Sequence, residues 1–335
     1  MARATVREVA AATGVSIATV SRVLNGYGNV AAPTRARVLE AMAALGARAP
    51  APRTAPVPRS GPVFVRCPYV LTDYFGEIVS SVVEQLELHD REVLLDAGES
   101  RQLTHPLVAL AGRRDVAGAV LVLPPEGPGE LTALRQARVP FVVVDPRTPS
   151  PADVPTVCAA HQRGAAEVTR HLLGLGHRRI GVLGGPLEWL AGTERLAGHV
   201  AALAQAGLLA DPALHRHAEP TVDEGRRAAA ELLALPDPPT ALVAFNDKAA
   251  LGALEAAAAR GLRVPRDLSV AGYDDSAVAT ATTPRLTTVR QPLAELGRLA
   301  VGLLVRMLAR QKVEGRHVEV AVELVVRGST GPAPR

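Results

Sequence analysis

Along the first 45 positions apolar residues recur three and four apart in three short runs: Val6, Val9 and Ala10; Val20, Val23 and Leu24; Val38, Met42 and Leu45. That spacing puts each run on one face of a helix. Thr5-Val-Arg-Glu8 has the form of a capping box, in which a hydroxyl and a carboxylate satisfy each other's backbone N–H groups, so the first helix begins there. Thr13-Gly14 breaks it, Ser16 caps the second helix, and Asn25-Gly26 ends that one. Pro33 suits the first turn of a third helix, which Gly46 closes. The pattern predicts a compact all-α head over 1–46.

Beyond position 62 the period changes. Short apolar runs at 93–95, 119–123, 141–144, 180–183, 242–245 and 268–271 read as buried parallel strands. They alternate with helical patterns at 75–88, 131–137, 164–175, 195–206, 224–235, 249–260 and 293–308. Strands alternating with helices predict a doubly wound α/β body, where ligands collect beyond the carboxyl ends of strands. Polar residues stand at such ends here: Asp145, Asn246-Asp247 and Asp274-Asp275.

Charge sharpens the division. Residues 1–60 hold Arg3, Arg7, Arg22, Arg35, Arg37, Arg48, Arg53 and Arg59 against only Glu8 and Glu40, while the rest is close to neutral. A basic head on a neutral body implies a polyanion partner for the head alone. With one face of the second helix committed to the core, Ile17, Ala18, Ser21, Arg22 and Asn25 project from the other. A helix fits the DNA major groove, where arginine can donate twice to guanine and small apolar groups can touch thymine methyls. Arg22 is the candidate base reader, with Ile17 and Ala18 beside it. Ser16, Thr19, Ser21, Asn25 and Thr34 suit phosphate oxygens, and Thr5 and Asn29 complete the candidate DNA-binding set.

Between head and body, 47–62 carries Pro50, Pro52, Pro56, Pro58 and Pro62, a density that no helix interior tolerates. Apolar runs are too short for a membrane span, and the stretch 299–308 is broken by Arg306. The N-terminus lacks the apolar centre of a secretory signal, so a cytoplasmic location is expected. Cys67 and Cys158 match no metal spacing and read as buried free thiols. His161, His171 and His177 fit no metal set either. No metal or cofactor is expected.

The run Thr5-Val-Arg-Glu-Val-Ala, continuing through Gly14-Val-Ser-Ile-Ala-Thr-Val-Ser-Arg-Val-Leu-Asn-Gly26 to Val30 and Thr34-Arg-Ala-Arg-Val-Leu39, resembles the N-terminal signature of the lactose-repressor (LacI/GalR) family. The body resembles the same family, and through it the type I periplasmic sugar-binding fold, at 175–181, 184–186, 194–198, 244–252, 272–276 and 284–292. The resemblance implies a two-lobed body over 63–335, with 63–160 plus 291–322 in one lobe and 161–290 plus 323–330 in the other. Position by position, it assigns Arg195, Asn246, Asp274 and Gln291 to effector contact and Asp73-Tyr74-Phe75 to a first-lobe loop. Thr193 and Trp189 complete the candidate effector set. Phe75 or Trp189 could stack on a sugar face, and Trp189 reads equally well as a packed core residue. Asp247 reads as the cap of the following helix, and Asp145 and Arg147 as a possible ion pair.

The linker departs from the family. A short hinge helix with a leucine wedged into the minor groove is usual there, and Pro56 stands near that leucine's place, so weaker operator bending is expected. The combined expectation is a sequence-specific transcription regulator, a repressor by family habit, acting as a homodimer on a palindromic operator under control of a small polar effector, a sugar or sugar derivative. A regulator with a cleft that no longer binds, or a sugar-binding protein, are the alternatives. No nucleophile elbow, phosphate loop or dinucleotide fingerprint supports an enzyme.

Overall fold

The computed structural model describes residues 4–24, 30–45, 61–311, 313 and 317–334. The chain divides into two compact units, Met1–Arg59 and Ser60–Arg335. In the first, α1 (Val6–Thr13), α2 (Ile17–Leu24) and α3 (Ala32–Leu45) close on Val9, Val20 and Val38, none of which retains any exposure. The capping box is present: Glu8 Oε2 accepts from the Thr5 N–H at 2.6 Å, and Thr5 Oγ1 from the Glu8 N–H at 3.3 Å. Gly14 ends α1 with φ +65°, a left-handed geometry that glycine adopts without steric cost. Ser16 Oγ accepts from the Thr19 N–H at 3.1 Å, heading α2. The expected stops at Asn25-Gly26 and Gly46, and all of the linker except Gly61 and Pro62, lie outside the described residues.

In the second unit a six-stranded parallel sheet has the order β11-β5-β4-β3-β1-β2. Its strands are β1 (Val63–Cys67), β2 (Val93–Ala97), β3 (Gly118–Val122), β4 (Phe141–Val144), β5 (Thr156–Ala159) and β11 (His317–Val320). Side chains alternate across a strand, so Val63, Val65, Val120, Val122, Val142 and Val144 meet α4 (Asp73–Glu87) and α12 (Leu293–Leu308) on one face. Phe64, Ala119, Leu121, Phe141 and Val143 meet α5 (Pro106–Gly112) and α6 (Pro128–Gln136) on the other.

A second parallel sheet, ordered β7-β6-β8-β9, comprises β6 (Ile180–Gly184), β7 (His215–His217), β8 (Ala241–Ala244) and β9 (Ser269–Ala271). One face packs against α9 (Val222–Leu233) and α10 (Asp247–Ala259), the other against α7 (His161–Gly174) and α8 (Leu190–Gln205). α9 and α10 approach so closely that a Cβ on Gly252 would lie 2.1 Å from the Val222 carbonyl oxygen, so only glycine allows this contact. A short α11 (Ala277–Ala281) follows β9, and an antiparallel pair, β10 (Thr288–Arg290) with β12 (Glu323–Val325), packs beside α7. The chain passes between the two sheets within a few residues at three places: β5 to α7, β10 to α12, and β11 to β12. Each sheet with its helices forms a lobe. Among the described residues no helix is long and apolar enough to cross a membrane.

Every strand and helix expected from the pattern is present within a few residues of its expected bounds, and the structure adds β1, β5, β7, β10, β11, β12, α5 and α11. Cys67 is buried and Cys158 half-buried, and they are not bonded to each other.

Candidate functional site

On the head, Val20, Val23 and Leu24 point inward while Ser16, Ile17, Ala18 and Arg22 are exposed and Thr19 and Ser21 half-buried. Ile17, a large apolar side chain, is 48% exposed, which costs solvation unless a partner covers it. Ser16 and Thr19 also bond each other through their hydroxyls at 2.9 Å, so their oxygens serve the cap as well as any phosphate. Thr5 is exposed and its hydroxyl belongs to the capping box; Thr34 is half-buried. Asn25 and Asn29 lie outside the described residues.

In the body a cavity of about 740 Å³ opens between the lobes at the carboxyl ends of the strands. This is ample for a small polar molecule. Of the sequence candidates, Asp73, Tyr74, Phe75, Trp189, Arg195, Asn246 and Asp274 line it. Thr193 does not; its hydroxyl donates to the Leu190 carbonyl at 2.8 Å. Gln291 does not either, but its Nε2 donates to Asp274 Oδ1 at 2.7 Å.

An aromatic wall lines part of the cavity. Phe75 lies parallel to Tyr69 with ring centroids 4.3 Å apart, and Trp189 meets Tyr69 and Phe245 edge-on at 5.9 and 6.0 Å. Trp189 packs against the first-lobe core and also lines the cavity. Charged groups stand against these rings. The Arg195 guanidinium sits 3.7 Å from the Tyr273 ring centroid and 4.4 Å from that of Phe245, and donates to the Phe245 carbonyl. Its Nη2 is 3.9 Å from Asp274 Oδ1. Burial raises the Asp274 carboxyl to about 7, although Arg195 pulls the other way.

The structure corrects two assignments. Asp145 does not pair with Arg147: it accepts from His161 Nε2 at 2.7 Å and from the Tyr74 hydroxyl, while Arg147 pairs with Glu188 at 3.1 Å. Burial raises the Asp145 carboxyl, but His161 and the Tyr74 donor outweigh it and leave the carboxyl below its usual range. Nor does Asp247 cap α10. Asn246 does so, its Oδ1 accepting from the Ala249 N–H at 2.9 Å and its Nδ2 donating to the Pro220 carbonyl at 3.2 Å. Asp247 sits one residue on, where its carboxylate accepts from Ser276 and Thr288.

Sequence reasoning passed over Tyr69, Glu99, Gln102, Glu188, Phe245 and Lys248 as lining residues. Lys248 pairs with Asp73 at 2.8 Å and so joins the lobes at the cavity wall. Backbone strain could have marked part of the site only from a structure. Asp73, Leu123, Asp145 and Asp274 have φ of +41°, +43°, +49° and +107°, and all four line the cavity. Such conformations persist where the surroundings enforce them, commonly at ligand clamps.

An exposed, arginine-bearing helix on a three-helix head, covalently followed by a two-lobed α/β body with a polar cleft, defines a DNA-binding regulator carrying a small-molecule sensor. The profile "Bacterial regulatory proteins, lacI family" matches residues 5–46, and "Periplasmic binding protein-like domain" matches 169–330. The HTH-type transcriptional repressor CytR of Escherichia coli K12 is 34% identical over 333 residues, spanning 99% of this chain and 97% of that protein. The chain belongs to the LacI family of bacterial transcription regulators, which are not enzymes. The HTH-type transcriptional regulator MalR of Streptomyces coelicolor is 34% identical over 337 residues, covering 98% of this chain and 96% of its own. Among solved structures, the transcriptional regulator CelR–cellobiose complex shares 33% identity at a TM-score of 0.71, covering 98% of this chain and all of that one. The lac repressor dimer bound to operator and the anti-inducer ONPF shares 28% at the same TM-score, covering 98% and 99%.

Proposed function

We propose that this protein is a cytoplasmic repressor, homodimeric on a palindromic operator, whose DNA affinity is set by a neutral carbohydrate bound between the lobes. The observation that carries the reading is the cavity itself, where aromatic faces and hydrogen-bonding side chains from both lobes converge on one space. The cellobiose bound by CelR supports the ligand class. Asp274 and Arg195 would bind hydroxyls, Asp73, Tyr74 and Phe75 would close the first-lobe side, and Trp189 would cover an apolar sugar face. Asn246 has both polar atoms engaged in its cap and strand-end bonds, which leaves one acceptor lone pair and one amide N–H for a ligand. Gln291 acts through Asp274. Lobe limits of 63–160 with 291–322, and 161–290 with 323–330, fit the three passages between the sheets.

Charge narrows the class further. Six carboxylates line the cavity, Asp73, Glu99, Asp145, Glu188, Glu219 and Asp274, against Arg147, Arg195 and Lys248. All three cations are already paired with cavity carboxylates, Arg147 with Glu188, Lys248 with Asp73 and, more loosely at 3.9 Å, Arg195 with Asp274. An anionic sugar phosphate would meet net repulsion. The test is fluorescence anisotropy on DNA fragments selected by the protein from its own genome, with and without neutral mono- and disaccharides and their phosphates. A neutral sugar that changes the affinity supports the proposal. A response to phosphates alone, or to none of the sugars, overturns it.

Linkage supplies the mechanism: an effector that binds one lobe geometry more tightly shifts the lobe equilibrium, and through it the spacing of the two heads.

A further inference from the structure

A continuous chain of side-chain contacts crosses the body where its two lobes join. The Tyr74 hydroxyl, on α4 of the first lobe, donates to Asp145 Oδ2 at the end of β4. Asp145 Oδ1 accepts from His161 Nε2 at 2.7 Å. On the other side of the same ring, Arg195 Nη2 of the second lobe lies 3.4 Å from His161 Nδ1. Arg195 then faces Asp274 Oδ1 at 3.9 Å, and Asp274 accepts from Gln291 at 2.7 Å. A guanidinium can only donate. His161 Nδ1 faces this donor and Nε2 faces the Asp145 carboxylate.

The position of His161 in the fold makes this more than a buried polar contact. It is the first residue of α7, immediately after the chain leaves β5 of the first sheet, and it is only 2% exposed. Its backbone carbonyl also accepts from the Tyr273 hydroxyl of the second lobe at 3.5 Å. The imidazole thus stands at a passage between the lobes, with a first-lobe carboxylate on one nitrogen and a second-lobe guanidinium on the other. His161 and Arg195 both belong to helices of the second lobe, so rotation of one lobe against the other falls on the His161–Asp145 bond, while Arg195 holds the ring from its own lobe.

We propose that His161 is the positioning residue that couples the lobes: its two ring nitrogens hold the lobes in the arrangement seen here, and transmit the state of Arg195 and Asp274 to Asp145 and Tyr74. It touches none of the cavity, so it acts through its neighbours. Its consequence for the operator rests on the proposed effector reading, whereas its control of closure does not.

Trp189 is the sole tryptophan of the chain and reports closure directly, since it stands between Tyr69 of the first lobe and Phe245 of the second. The experiment uses the full-length protein without added sugar and compares wild type with His161→Phe and His161→Gln, measuring tryptophan emission, acrylamide quenching and radius of gyration by small-angle scattering. Losing buried hydrogen bonds to charged groups raises the open-to-closed ratio about tenfold or more. His161→Phe, with native far-UV circular dichroism, is expected to show red-shifted emission, stronger quenching and a larger radius. His161→Gln, whose amide can donate to Asp145 and accept from Arg195, is expected to return all three toward wild type. If His161→Phe does not fold, Tyr74→Phe takes its place, removing one donor to Asp145 and shifting the same readouts in the same direction. Wild-type readouts in a folded His161→Phe, or in Tyr74→Phe where it stands in, overturn the proposal. A folded His161→Gln that stays as open as His161→Phe also overturns it. Since no sugar is present, neither result bears on whether the cleft binds one.

Discussion

Replacing Asp274 by asparagine is expected to stabilise the protein while removing its effector response. Burial raises this carboxyl from 3.8 to about 7 against the pull of Arg195. An acid raised in this way binds its proton more tightly folded than unfolded, so its ionisation opposes folding. The cost is absent below the unfolded value, grows as pH rises from 3.8, and is complete above about 7. Taking 1.36 kcal/mol per pH unit, it amounts to about 4 kcal/mol at pH 8, about 2 kcal/mol at pH 5 and close to zero at pH 3. Asparagine keeps an acceptor for Gln291 Nε2, and the charge it takes from Arg195 exists only where Asp274 is ionised, so that attraction is already contained in the raised value. The difference between the two pH values therefore reports Asp274 together with Asp247, whose carboxyl repels it and is itself raised by burial to about 6. Urea unfolding at 25 °C, followed by Trp189 emission and circular dichroism, should show the variant gaining about 2 kcal/mol more over wild type at pH 8 than at pH 5. An equal difference at both pH values, or a larger relative gain at pH 5, would show that the carboxylate is not held at a folding cost.

Arg22→Ala should weaken operator binding by about 10- to 100-fold, as for loss of a base-reading arginine, without moving the unfolding midpoint of the body; unchanged anisotropy titrations count against Arg22 as the reader. Thr5→Ala removes the head's capping box and should cost it about 1 kcal/mol, seen in the melting of the isolated head's helical signal if that fragment folds, or in head amide exchange in the full chain. His199 and His215 are lowered by burial from 6.5 to about 4, so the unfolded chain takes up their protons first as pH falls. The stability they contribute is present above 6.5 and lost between 6.5 and 4, and His199→Gln should flatten the pH dependence of the urea midpoint in that window. With Pro56 near the place of the family's wedge leucine, a phasing gel should show less operator bending than a hinge-helix relative produces; comparable bending would refute this.

What the pattern revealed and what it missed divide along a physical line. Capping boxes, breaks and strand-end polar residues are local: Thr5 and Glu8 are one turn apart, and Asp145, Asn246 and Asp274 each follow an apolar run, so short windows suffice to find them. β1 escaped because Arg66 interrupts its apolar run, yet that arginine is fully buried, facing Asp96 of β2 and Glu126. Only the fold brings those partners together and makes the charge tolerable. β7 escaped for a related reason: His215-Arg-His217 forms the edge of its sheet, where one side needs no apolar cover.

The exchange of roles between Asn246 and Asp247 shows how a tertiary contact settles what local propensity leaves open. Either residue can cap a helix, and nothing in the sequence ranks them. Gly272, on the neighbouring strand end, lacks the Cβ that would stand 2.3 Å from Asp247 Oδ1. The gap admits the carboxylate, where Ser276 and Thr288 supply three donors. Asn246 is left to cap, which commits its oxygen to Ala249 and fixes the residue at the cavity wall. The same logic governs the chain through His161. Tyr74, Asp145, His161, Arg195 and Asp274 are separated by up to 200 positions in sequence, and each has an ordinary local role. Their coupling exists only because three passages between two sheets bring both ends of the cleft to one histidine, so the site's chemistry was legible in residue types while its connection had to be seen in space.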